Sequence, residues 1–207
     1  MRTIETGEAL RALYGTPSER AIRKQLAHLD KHCRHFIERS PFLVISSMGP
    51  NGADISPRGD PPGFVAVLDE KRLLIPDRAG NNRIDSLENI LADPRVGLLF
   101  FLPGVDETLR INGRARIVVG AEVEAMALNG KAPRTALLVE VEEVFLQCAK
   151  ALLRSKLWTG EHAAPKGTFP SISRMIGDQV GLSEEEKQKR EAITERAYRD
   201  GLWAPIS

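Results

Sequence analysis

The sequence predicts a mainly β protein with peripheral helices, an α+β chain built on an antiparallel barrel. Strand-like apolar runs follow one another as hairpins, and the long connections that parallel crossovers need are scarce. Residues 108–118 alternate cleanly, with Leu109, Ile111, Gly113, Ala115 and Ile117 on one face and Thr108, Arg110, Asn112, Arg114 and Arg116 on the other. Helical periodicity is concentrated near the two ends of the chain, apart from short stretches around residues 82–92 and 121–128.

In chain order, Ile22, Leu26, Leu29, Cys33, Phe36 and Ile37 recur in steps of three and four, which predicts one helix over residues 20–39, stopped by Ser40-Pro41. Residues 42–47 (FLVISS) read as a buried strand, and Gly49-Pro50-Asn51-Gly52 turns it back into residues 53–60. Residues 64–68 and 73–75 form a second hairpin. A short amphipathic helix follows over 82–92, burying Ile84, Leu87, Ile90 and Leu91. The continuous apolar run at 96–102 (VGLLFFL) reads as a central strand. After the alternating strand come a short helix at 121–128 and a last strand at 137–146, bulged at Glu142-Glu143. Ser183-Glu184-Glu185-Glu186 starts a final charged helix reaching about Arg199. The expected units are a helical segment at 1–41, the barrel at 42–147 and a helical extension at 148–207.

Composition narrows the classes. The chain has 207 residues, 42% hydrophobic and 28% charged, with a formal net charge of +1. That describes a globular protein of one large domain, and it argues against a general nucleic-acid binder. No apolar run is long enough to span a bilayer, and the N-terminus lacks a signal-peptide pattern, so a cytoplasmic location is expected. Two cysteines do not make a disulfide framework.

The candidate site starts at residues 73–91, LLIPDRAGNNRIDSLENIL, where a strand runs through a glycine-containing turn into a helix. Backbone N–H groups, the positive helix end and Arg83 converge on one volume suited to a phosphate, with Asp77, Gly80, Asn81 and Asn82 around it. Read plainly, the same residues are an asparagine cap and a solvated arginine. Ser56 and Arg58, one hairpin away, are candidates for the same ligand, against a tight turn with an Arg58–Asp60 surface pair. The arginines of 108–118 repel one another unless an anion or carboxylates lie near, and Glu140 and Glu142 are candidates for the latter. Lys150 and Arg154 share a helix face, and Trp158 is placed to stack on a planar ring or simply to pack. His28, His32 and His35 lie off the apolar stripe and face solvent, which argues against a metal site. No Ser-His-Asp pattern, HExxH, P-loop or Rossmann fingerprint is present, so no catalytic residue is assigned.

The ordered set FLVISS, SPRGD, LLIPDRAGNNRIDSLENIL, DPRVGLLFFLPG and ETLRINGRARI resembles the pyridoxamine 5′-phosphate oxidase-related FMN-binding proteins. The resemblance implies a split β-barrel homodimer with FMN in the groove between subunits, acting as an oxidoreductase on a small molecule. It places the FMN phosphate and ribityl chain on Arg58, Asp77, Asn82 and Arg83, and a side chain near the flavin ring at Thr108. The substrate is not implied. SPRGDPPG stands where the true oxidase carries an arginine-to-lysine stretch, and Asn82-Arg83 where it has an arginine-lysine pair. The alternative on the same scaffold is a non-catalytic flavin-binding or sensing protein, or one that takes a deazaflavin or haem.

Overall fold

The computed structural model describes residues 1–50 and 52–203. Among the described residues, seven strands fall between Phe42 and Gln147: β1 Phe42–Gly49, β2 Gly52–Gly59, β3 Ala66–Val67, β4 Arg72–Asp77, β5 Arg95–Phe101, β6 Thr108–Val118 and β7 Thr135–Gln147. They form one sheet in the order β2-β1-β5-β6-β7-β4-β3, and every pairing is antiparallel. The sheet curls until edge strand β2 approaches the end of β4. Arg58 of β2 pairs with Asp77 of β4, and Asp60, just past β2, pairs with Arg78, just past β4. Ion pairs rather than a continuous ladder close the seam, which makes this a split barrel.

Alternation fills the interior. Leu43 and Ile45 of β1, Leu98 and Phe100 of β5, Leu109 and Ile111 of β6, and Val139 and Val144 of β7 are all buried in one cluster. Two helices complete that core: α3 (Lys31–Arg39) contributes Cys33, Phe36 and Ile37, and α4 (Asp85–Ala92) contributes Ile90. On the other face of β4 and β7, Val123 of α5 (Ala121–Glu124) packs with Leu74 and Ala136.

The long helix expected over 20–39 is in fact two. Helix α2 (Glu19–Arg23) ends early, and Leu26 then bridges Val144 through two backbone hydrogen bonds, of 2.9 and 2.8 Å. The chain restarts at α3 because the Asp30 carboxylate accepts from the Cys33 N–H at 2.8 Å. Leu26 and Leu29 are therefore inward-facing for different reasons, and Ile22 is exposed. Two helices the periodicity did not single out, α1 (Gly7–Tyr14) and α7 (Ile172–Gln179), flank the barrel sequence, and α7 pairs with the charged helix α8 (Glu184–Asp200). Helix α6 (Lys150–Ser155) follows β7 directly. Among the described residues no helix is long and apolar enough to cross a membrane.

Candidate functional site

At the barrel seam the inner face of edge strand β2 turns polar. Register puts Asp54 opposite Ser47, Ser56 opposite Ile45 and Arg58 opposite Leu43, so these three side chains share the face that elsewhere holds the core. Arg58 Nη1 donates to Ser56 Oγ at 2.6 Å and to the Pro57 carbonyl at 2.9 Å, while Nη2 lies 3.7 Å from Asp77 Oδ1. Ser56, Arg58 and Asp77 are thus brought together as expected, although Arg58 pairs with Asp77 and not with Asp60. Burial pushes the Asp77 carboxyl above its ordinary range, and Arg58 offsets only part of that.

Arg78, which the sequence did not single out, lies at the same seam, and its side chain is as enclosed as that of Arg58. Its Nε donates to Asp60 Oδ2 at 2.5 Å, and Asp60 Oδ1 accepts from the Trp203 indole at 2.7 Å. The Asp60 side chain is 3% exposed and that of Arg78 18%. Among the described residues, Arg78 Nη1 is buried with no hydrogen-bond partner. Only burial distinguishes Arg78 from Arg83 in the sequence PDRAGNNR, and burial is not legible there.

The turn itself differs from expectation. Helix α4 begins at Asp85, three residues later than the periodicity suggests, because Asn82 (φ 59°) and Ile84 (φ 51°) both adopt left-handed backbone. Ile84 occupies the cap position without a side-chain hydrogen bond, and its side chain is exposed rather than buried. Asn81 Oδ1 accepts from the Arg83 N–H at 3.1 Å. Arg83 is 72% exposed and pairs with Asp85 at 2.8 Å. Helix α4 is fastened to β2 and β1 by Ser86 donating to Asp54 at 3.1 Å and Asn89 donating to Ser47 at 3.2 Å. A Cβ built on Gly80 meets no atom within 4 Å, so the turn borders open space.

The arginine strand sits elsewhere. Arg58, Leu43, Phe100 and Leu109 form one transverse row across β2, β1, β5 and β6, so Thr108 and Arg110, the neighbours of Leu109, lie on the opposite face of the sheet. Thr108 is buried and donates to Gln147 at 3.2 Å. Arg110 lies 3.6 Å from Glu143 and over the Phe145 ring at 5.3 Å, and Arg116 pairs with Glu140 at 2.7 Å. The expected carboxylate Glu142 is replaced by Glu143. A bulge between Asn112 and Gly113 skips Glu142, leaving it exposed. Trp158 donates to the Val105 carbonyl at 2.9 Å, in the turn leading to Thr108, while Lys150 and Arg154 are exposed on α6. His28, His32 and His35 face solvent.

One chain therefore gathers two groups on opposite sides of its sheet: Ser56, Arg58, Asp77 and Arg78 at the seam, and Thr108 and Gln147 near the start of β6.

The family model for pyridoxamine 5′-phosphate oxidase matches residues 29–148. No curated protein matches the chain. Among solved structures, it is similar to HupZ of Group A Streptococcus at 18% identity, covering 56% of this chain and 92% of that one with a TM-score of 0.46. It is similar to a pyridoxamine 5′-phosphate oxidase candidate of Lactobacillus delbrueckii at 17% identity, covering 59% and 98% with a TM-score of 0.44. A third is a Clostridium acetobutylicum protein related to general stress protein 26, at 18% identity, covering 56% and 85% with a TM-score of 0.42. The family model spans more than half of the 207 residues and the whole sheet. This chain belongs to the pyridoxamine 5′-phosphate oxidase family.

Proposed function

We propose that the protein is an FMN-dependent oxidoreductase that works on a small molecule as a homodimer. The observation that supports this best is the seam, where Ser56, Arg58 and Asp77 meet beside the turn at 80–84 in a chain of this family. The residues present fit a phosphate-bearing group. A buried arginine nitrogen lacks an acceptor, and the 3.7 Å Arg58–Asp77 pair is long enough to yield. Burial pushes the Asp77 carboxyl above its ordinary range, which weakens its hold on Arg58.

In this reading the flavin ring supplies the redox chemistry, so no protein nucleophile is required. The chain binds and orients. Arg58, fixed by Ser56, presents positive charge at the seam, and Asn81, Asn82 and Arg83 line the turn beside it. Thr108, held by Gln147, offers a hydroxyl on the far face of the sheet beside Arg110, while Trp158 is tied to the turn before β6 and Lys150 and Arg154 are exposed on α6. Because the two groups face opposite ways, a single ligand touches both only if the second comes from another subunit. The outer face of β1, β2 and β5 supports such a pairing. Phe42, Val44, Ile55, Leu99 and Phe101 all lie there, and Ile55 is 71% exposed.

The visible absorption spectrum of the purified protein, with mass spectrometry of any released ligand, tests the proposal. Flavin bands and an FMN mass are expected. A colourless protein that takes up no added FMN overturns it, and a haem or deazaflavin spectrum replaces the cofactor.

A further inference from the structure

We propose that Arg78, and not the exposed Arg83, grips the anionic end of the ligand at the seam, and that Asp60 and Trp203 hold it in position for that task.

The argument starts from an imbalance in one side chain. A guanidinium offers donors on all three nitrogens in a fixed fork, and a carboxylate usually meets two of them. Here Asp60 meets only one of them: its Oδ2 accepts from Arg78 Nε, while its Oδ1 accepts from the Trp203 indole. Among the described residues, Arg78 Nη1 is left buried and unpaired. Such a donor is disfavoured in an enclosed site unless an acceptor arrives. A phosphate oxygen is an acceptor of the matching charge and geometry.

Position favours the same assignment. Arg78 follows Asp77, which pairs with Arg58, and Asp60 lies two residues past Arg58. The Arg58–Asp77 and Asp60–Arg78 pairs therefore join the same two chain segments one step apart, with both arginine side chains only 18% exposed. Two enclosed arginines at one seam outweigh a 72% exposed one, because water screens the latter. Trp203 arrives from 143 residues further along the chain and fixes the free oxygen of Asp60. It acts on the ligand only through Asp60 and Arg78, so it is a positioning residue.

This inference rests on the FMN reading for its natural ligand, but its test does not. Binding of FMN and of riboflavin, which lacks the phosphate, is titrated by flavin fluorescence in the wild type, Arg78→Gln, Arg78→Lys, Arg83→Gln and Asp60→Asn. In parallel, the melting temperature of each is followed with inorganic phosphate as the probe. Arg78→Gln is expected to weaken FMN binding about tenfold or more while leaving riboflavin unchanged, since one charge-assisted contact to phosphate is lost. Arg78→Lys restores part of the loss. Arg83→Gln changes FMN binding by less than about threefold. Asp60→Asn lowers the preference for FMN over riboflavin without abolishing folding. Phosphate raises the melting temperature of the wild type and not of Arg78→Gln. An unchanged FMN-to-riboflavin ratio in Arg78→Gln, or equal losses for both flavins in Arg78→Gln and Arg78→Lys, overturns the assignment. If the wild type ignores both flavins, the FMN reading fails on its own, and the phosphate arm still decides: protection that depends on Arg78 supports the assignment, and protection absent or equal in the two proteins ends it.

Discussion

Asp77 carries a cost that its neighbours only partly relieve. Burial raises its carboxyl above the ordinary range, with Arg58 pulling the other way. A group whose folded value is raised contributes stability that is complete below its unfolded value and is lost as pH climbs through the folded one. The wild type is therefore expected to lose stability relative to Asp77→Asn as pH rises from about 4 toward neutrality, and urea midpoints across that range check it. Cys33 shows the same effect of burial more strongly. Desolvation, then the Asp30 side chain, pushes its thiol up to about 12. With Cys148 exposed, one thiol per native chain should react with a disulfide reagent near pH 8 and two after unfolding. Two fast thiols in the native protein would contradict the buried placement. The sequence showed part of this: Cys33 lies on the apolar stripe and reads as buried from spacing alone. That Arg78 and not Arg83 is enclosed was hidden, because both are arginines in one polar turn and only the meeting of β2 with β4 separates them.

At the scale of elements, period-two alternation identified β6 correctly, because one of its faces meets the core and the other does not. The bulge was legible at the right place, but its consequence was not, since skipping Glu142 exchanges which carboxylate meets the arginines. Gly113 is the structural reason that register holds. A Cβ there falls 2.1 Å from the Glu140 carbonyl oxygen, a backbone atom that cannot move without shifting β7. Gly113→Ala is expected to destabilise by about 3 kcal/mol or more, read from chemical denaturation, and a near-neutral result would mean that the two strands lie further apart. The helix expected over 20–39 failed for a non-local reason. Its apolar spacing continues through 24–30, but the backbone of Leu26 bonds to Val144, and no local pattern announces a partner so far along the chain. Asp30 then restarts the helix. Asp30→Ala should cost about 1 kcal/mol through the lost cap, measured as a shift in the denaturation midpoint, and no shift would remove the cap from the account.

For the molecule as a whole, the governing fact is that the sheet has two different faces and the described residues cover only one of them completely. The inner face is sealed by its own side chains with α3 and α4, and α5 covers part of the outer face near β4 and β7. Phe42, Val44, Ile55, Leu99 and Phe101 are left on the outer face of β1, β2 and β5, with the Phe42 and Phe101 rings in tilted contact at 6.0 Å. If a second copy covers that surface and also brings its Thr108 face to the first copy's seam, dimer formation and ligand binding become one event. Ile55 is the place to separate them, since it is 71% exposed in the single chain and makes no contribution to the core cluster. Ile55→Glu leaves the monomer fold intact but buries a charge in any interface built on this face. Sedimentation should report twice the 22.8 kDa chain mass for the wild type and a single chain mass for the variant, with FMN affinity falling in the variant although Arg58 and Arg78 are untouched. A variant that stays dimeric moves the interface to another face. A monomeric variant that binds FMN as tightly as the wild type shows instead that one chain completes the site alone, and that the Thr108 face serves some other end.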